Sequence, residues 1–248
     1  MGRLIGIKSD VGNRRTLNED FVKYFEDDNI SIFAIADGMG GHNAGEVASE
    51  VALETIITYL KENNEKDKVA ALKEAVRRAN YKIYKMSILN DNYSGMGTTI
   101  TVAYVVDGKI LIANVGDSRC YTFYKNTLTK ITKDHSLVQE LLDNGSISEE
   151  EAINHPNKNI ITRAIGTKPS VEVDIYELNI DDVETVLLCT DGLTNEVSEQ
   201  EICDIINNDK TNCCEELINL SKERGGRDNI SVIIFKGECG DDRNHIRG

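Results

Sequence analysis

The chain has no tryptophan, only two prolines in 248 residues, and 28 Lys plus Arg against 42 Asp plus Glu, a formal charge of −14. Each shortage excludes something. A surface this poor in cations repels a phosphate backbone or an anionic lipid face, so neither nucleic acid nor membrane is an expected partner. No apolar run approaches the roughly 18 residues that a membrane-crossing helix needs. The first ten residues, MGRLIGIKSD, lack the apolar centre of a signal peptide and read as an opening strand. The six cysteines, at positions 120, 189, 203, 213, 214 and 239, form no CxxC pair. Neither a zinc site nor a disulfide framework is indicated, and a reducing cytoplasm is the expected location.

What is present has the make-up of a globular protein, 40% hydrophobic and 28% charged. Repeats, low-complexity stretches and Pro/Gly/Ser linkers are missing, so the expectation is one domain over 1–237 and a short polar tail over 238–248. Strand-like runs come first, LIGI (4–7), FVKYFE (21–26) and SIFAIA (31–36). A helix opens near Gly45, and Val69, Leu72, Val76, Ala79, Ile83 and Met86 step by three and four along a second. TTITVAYVV and KILIANV then meet at Asp107-Gly108, and CYTFY pairs with LTKIT across Lys125-Asn126. Further on, Ser148 with Glu151 and Ser198 with Glu201 have the spacing of capping boxes, VEVDIYEL and TVLLCT read as strands, and ISVIIFK is the last strand. Neighbouring hairpins with helix pairs between strand groups make this an α+β layered domain rather than a doubly wound parallel sheet.

Three of the apolar runs end on a carboxylate: FAIADG (33–38), ILIANVGD (110–117) and VLLCTDGL (186–193). Asp228 immediately precedes NISVIIF, and Glu19-Asp20 immediately precede FVKYF. Asp before Gly at a strand end is ordinary turn chemistry for any one of them. If all six acids converge, their repulsion needs protons or cations to offset it. An oxygen-only ligand set favours Mg²⁺ or Mn²⁺ over Zn²⁺. Two such ions can bridge and deprotonate a water that attacks phosphorus in line, so the chemistry to expect is phosphate-ester hydrolysis without a covalent intermediate. Arg14-Arg15, four residues before the acidic pair, are either a phosphate-binding fork or two solvated loop arginines. A cysteine-based phosphatase is excluded: the sixth residue after each cysteine is Asn126, Asn195, Asp209, Asn219, Leu220 or His245, never Arg. DGMGGHNAGE has the glycines of a phosphate loop, but no Gly-Lys-Ser/Thr follows.

In order along the chain, SDVGNRRTLNED, DGMGGHNAGE, GTTITVAYV, NVGDSRCY, TKDHS, ITRAIG, CTDGLTN and GGRDNISVII resemble the motifs of the metal-dependent, type 2C Ser/Thr protein phosphatases, in their bacterial, kinase-opposing branch. The likeness runs from about residue 4 to 236. It implies a four-layer α-β-β-α sandwich, two antiparallel sheets flanked by helices, with two Mn²⁺ or Mg²⁺ ions at one end and a weaker third. Asp37 would bridge the pair; the Gly38 carbonyl and Glu19 would serve one ion, Asp191 and Asp228 the other, and Asp117 with Asp191 the third. Arg15 would bind phosphate, Asp20 and Asn229 would orient the ligands and their waters, and the stretch 145–160 would be the flap beside the site. One place departs from the pattern: Met39 stands where many relatives carry a proton-donating His. His42 or a metal-bound water is the candidate for that role, and for His42 the other reading is packing or hydrogen bonding at the helix entry. His135 is expected to brace the following helix.

The function implied is hydrolysis of phosphoserine and phosphothreonine monoesters on proteins by a metal-bridged water, opposing a Ser/Thr kinase. The expected partners are phosphoproteins, the cognate kinase among them, and the enzyme is expected to be a monomer. The alternative is a metal-dependent phosphatase of a small phosphate ester. A non-catalytic binding protein would have lost some of the acids, and none is missing.

Overall fold

Hairpin chemistry builds the sheets. Asp107 (φ 51°) with Gly108 (φ 75°), and Lys125 (φ 47°) with Asn126 (φ 63°), supply the two left-handed residues that a tight two-residue turn requires. The computed structural model describes residues 5–40, 44–63, 65–153, 155–208 and 212–237. In chain order the first elements are β1 (Ile5–Asp10), β2 (Asp20–Glu26), β3 (Ile30–Met39), α1 (Ala44–Glu62), α2 (Lys68–Leu89), β4 (Gly97–Thr98), β5 (Ile100–Val106) and β6 (Lys109–Val115). There follow β7 (Arg119–Tyr124), β8 (Thr127–Lys130), α3 (Leu137–Asp143), α4 (Glu149–Ile153), β9 (Asp174–Asn179), β10 (Thr185–Cys189) and α5 (Asp191–Thr194). The last are α6 (Glu199–Asn208), α7 (Cys213–Glu223) and β11 (Ile230–Lys236).

One sheet has the order β1-β11-β10-β7-β8 and the other β2-β3-β5-β6-β9, with β4 added at the end of β3. All the pairings are antiparallel. Alternate residues face inward, so Phe33, Ile35, Ile110 and Ile112 of one sheet meet Val186, Leu188, Ile233 and Phe235 of the other. Phe33 and Phe235 stack with centroids 3.9 Å apart at the centre of this interface. The outer face of the second sheet is covered by the apolar stripes of α1 and α2, and that of the first by α6 and α7. The result is the expected four-layer α-β-β-α sandwich.

Local signals placed the helix ends well. Asp67 caps α2 by accepting from the Ala70 amide at 2.9 Å. Both capping boxes form: the amides of Ser148 and Ser198 donate to Glu151 and Glu201 at 2.8 and 3.0 Å. Two strand expectations need correcting. The first strand continues to Asp10 instead of stopping at 7, because β11 offers partners along the whole of Ile5–Asp10. The stretch 171–178 is strand only from Asp174, whose partner Asn114 is the last that β6 provides; Val171 and Val173 pack into the core beneath α1 and α2 instead. The tail expected over 238–248 lies outside the described residues.

Candidate metal centre

In an antiparallel sheet the end of one strand lies beside the start of its neighbour, so acids far apart in sequence meet at one rim. The β2–β3 register sets Asp20 opposite Asp37. On the other sheet Cys189 pairs with Val232, which brings Asp191, just past β10, beside Asp228, just before β11. Asp117 sits in the tight turn between β6 and β7. Asp191 itself opens the one-turn helix α5, a feature its strand-like context did not suggest.

The turns are held by close backbone contacts and hydrogen bonds. A Cβ on Gly192 would lie 1.9 Å from the Asn229 carbonyl oxygen, so only glycine lets the Asp191 turn approach the Asp228 loop. Asn229 ties down the preceding loop: its Nδ2 donates to the Val11 and Leu17 carbonyls at 3.0 and 2.9 Å, and its Oδ1 accepts from the Glu19 amide at 2.9 Å. The Glu19 carbonyl accepts from the Gly38 amide at 3.1 Å and from Ser49 Oγ at 2.7 Å, while its carboxylate meets the Gly45 amide at the start of α1. The Asp37 amide donates to Thr99 Oγ1 at 3.0 Å, and the Asp37 carbonyl accepts from Thr98 Oγ1 at 2.9 Å. Thr190 Oγ1 donates to Asp20 Oδ2 at 2.9 Å and accepts from the Ser231 amide at 3.0 Å.

These acids share one electrostatic environment. Burial and the charges of Asp20, Asp191, Asp117 and Asp228 push the Asp37 carboxyl well above the usual carboxylate range. Burial also raises Asp20 to about 7 and Asp117 to about 8, with Asp191 adding to both. Asp191 is raised by burial and by Asp228, and its side chain lies within hydrogen-bonding reach of Asp37. Glu19 is raised chiefly by burial. Asp20 Oδ1 and Asp191 Oδ1 are buried with no hydrogen-bond partner on the protein, and an unmatched buried anionic oxygen is costly unless something positive meets it. Among the described residues no three His, Cys, Asp or Glu side chains stand close enough together to hold one ion as they are placed. Asp228 accepts from Arg15 Nη2 at 2.9 Å, and Asp191 accepts from Asn195 Nδ2 at 3.0 Å. An oxygen-only set with two buried, unpartnered carboxylate oxygens has the chemistry that suits a hard divalent cation.

Every described candidate therefore comes to this rim: Arg15, Glu19, Asp20, Asp37, Gly38, Asp117, Asp191, Asp228 and Asn229. His42 lies outside the described residues. Met39 ends β3, paired with Gly97. His135 is buried and braces the Asp117 turn rather than only the helix after it. Sequence reasoning missed Thr99, Thr190 and Asn195. Thr190 and Asn195 flank Asp191 within CTDGLTN, but they read as strand and turn residues until their partners are known.

A family model described as protein phosphatase 2C matches residues 12–229. The chain is 41% identical over 236 residues to the serine/threonine phosphatase stp of Listeria welshimeri, covering 92% of this chain and 94% of that one. Its fold matches the crystal structure of the serine/threonine phosphatase Stp1 from Staphylococcus aureus with a TM-score of 0.89 at 33% identity, covering 96% of each chain. It also matches the catalytic domain of the serine threonine protein phosphatase PstP in complex with two manganese ions, with a TM-score of 0.81 at 33% identity, covering 94% of this chain and 97% of that one.

Proposed function

The chain belongs to the protein phosphatase 2C family, and from that premise we propose how its acids divide the work of hydrolysing phosphoserine and phosphothreonine monoesters on proteins. Asp37, Glu19, the Gly38 carbonyl, Asp191 and Asp228 would together hold two divalent ions, Mn²⁺ or Mg²⁺, with Asp37 common to both, Glu19 and Gly38 on one side and Asp191 and Asp228 on the other. Asp117 with Asp191 would hold a weaker third. When bound, such ions bring the pKa of a shared water toward neutrality and offset the charge of the phosphoryl oxygens. The protein's part is to fix the ligands and the groups that orient them: Asn229 holds the Glu19 backbone, Thr99 holds the Asp37 backbone, and Thr190 holds the orienting Asp20, each by a hydrogen bond of 2.9–3.0 Å. Arg15 is anchored on Asp228 through Nη2, and a guanidinium has enough further donors to grip a phosphoryl group as a fork. The Met39 thioether has no proton to give, so the leaving oxygen would take its proton from His42 or from a metal-bound water.

The observation that carries this reading is the meeting of acids from both sheets at one rim, where Asp20 opposes Asp37 and the buried Oδ1 atoms of Asp20 and Asp191 have no hydrogen-bond partner on the protein. The decisive assay is turnover of a phosphothreonine peptide by chelated and by Mn²⁺-replete protein. Activity is expected only in the second, and equal rates would refute the metal mechanism. Comparing kcat/KM on phosphopeptide and on free phosphoserine tests the protein substrate, with the peptide expected to be preferred. We further propose that the enzyme acts as a cytoplasmic monomer opposing a Ser/Thr kinase. Among the described residues no helix is long and apolar enough to cross a membrane, and the charge of −14 disfavours anionic lipid. Sedimentation and cell fractionation check this directly.

A further inference from the structure

His135 grips the turn that carries Asp117 from two directions. Its amide donates to the Gly116 carbonyl at 2.9 Å, and its ring Nδ1 accepts from the Gly116 amide at 3.0 Å. Because Nδ1 is an acceptor here, a neutral ring carries its proton on Nε2, which lies 3.1 Å from Asp174 Oδ2 and donates to it. Arg163 Nη1 lies 3.0 Å from the same Nε2 and 2.7 Å from Asp174 Oδ1; a guanidinium can only donate, so with Nε2 protonated it bonds to the carboxylate and keeps it in place. On the opposite side of the turn, Gly116 has φ +109° and a Cβ there would come within 2.5 Å of the Thr99 side chain. Thr99 in turn meets Ser118 Oγ at 2.8 Å and receives the Asp37 amide. The turn is thus wedged between Thr99, which belongs to the Asp37 strand ends, and His135. A side chain that fixes the amide next to a candidate ligand, while its own far nitrogen is fixed by a carboxylate, has the arrangement of a residue that orients a metal ligand.

We propose that His135, through its two hydrogen bonds to Gly116, positions the Asp117 carboxylate, with Asp174 setting the orientation and tautomer of the ring. The inference rests on the assignment of Asp117 to the weaker ion. His135 touches neither substrate nor reacting atoms; it acts through Gly116.

The test is a Mn²⁺ titration by calorimetry on the full chain, with thermal melts alongside, for wild type, Asp117→Asn, His135→Ala, His135→Asn and His135→Gln. Asparagine can set its Oδ1 near the place of Nδ1 and accept from Gly116; glutamine reaches the place of Nε2 instead. His135→Ala is expected to weaken only the weaker class of Mn²⁺ binding, by about 10–100-fold. His135→Asn should restore it to within about threefold, and His135→Gln should not. If His135→Ala loses its fold, the Asn and Gln pair decides by the same criterion. Equal weakening of both classes, no weakening, or no better rescue by Asn than by Gln overturns the proposal. Asp117→Asn should lose the weaker class outright. If it binds like wild type, the assignment of Asp117 falls and the inference with it. If Asp117→Asn is affected and His135→Ala is not, the inference alone falls.

Discussion

Replacing Asp37 by Asn should make the metal-free protein more stable near neutral pH while abolishing its activity. The magnitude follows from the neighbours. Asp20 and Asp117 have folded values of about 7 and about 8 against an ordinary 3.8. Below the ordinary value both are protonated whether folded or not, and nothing is at stake. Between that value and the folded ones, the folded protein holds protons that the unfolded chain has released, so stability falls as pH rises. Above about 8 the cost is complete. These carboxyls repel one another, so a single proton held by the cluster is the smaller count. That count alone gives a slope of about −1.4 kcal/mol per pH unit. From about pH 5.5 to about pH 7.5 the loss is about 3 kcal/mol, or roughly 6–12 °C in Tm for a chain of this size. Carboxylates with lowered values, such as Asp10, Asp174 and Glu201, are ionised in both states over this range and add no slope. The lowered His135 adds a slope of opposite sign near its ordinary 6.5, but it does so in wild type and variant alike. Asn in place of Asp37 takes one strongly raised carboxyl, and the proton it holds, out of the cluster, so the curve should be flatter than that of wild type. Saturating Mn²⁺ should raise the Tm of wild type and leave Asp37→Asn nearly unmoved. Thermal melts in EDTA across this range measure all of it. A wild-type Tm that stays flat or rises with pH, matching that of Asp37→Asn, would refute the claim that the acids crowd one another.

Three further outcomes are expected. Thr190→Val removes the Asp20 hydrogen bond and the acceptor for the Ser231 amide, and should weaken Mn²⁺ binding by about 10–100-fold in a titration. Arg15→Ala should cost about 1.5–3 kcal/mol in kcat/KM on a phosphopeptide, roughly 10–150-fold, without weakening Mn²⁺, because Asp228 is released rather than removed. Phe235→Ala should destabilise the sandwich by about 3–5 kcal/mol in denaturant titration with the metal affinity of the folded protein unchanged, since its stack with Phe33 lies between the sheets.

Much of this protein is legible in short windows of sequence, and the reason is the range of the forces involved. Asp107-Gly108 makes a hairpin because backbone sterics act over two residues, and Ser148 with Glu151 caps a helix because the hydrogen bonds span three. The apolar periods of α1, α2 and the strands follow from which face must be buried. The acids of the rim could be picked out by their positions at strand ends and by their likeness to the family's motifs. What a window cannot contain is a register. Asp20 opposes Asp37 only because β2 pairs with β3 in one alignment, and Thr190 reaches Asp20 across 170 residues only because the two sheets pack face to face. For the same reason Thr99 reads as a strand residue and His135 as a helix brace until Gly116 is seen between them. By itself the sequence determined the elements, their caps and the kind of atom available for binding, all set by local sterics and side-chain chemistry. Tertiary structure alone decided which carboxylates repel, how strongly, and what holds each in place, because those energies depend on distances through space that chain order does not encode.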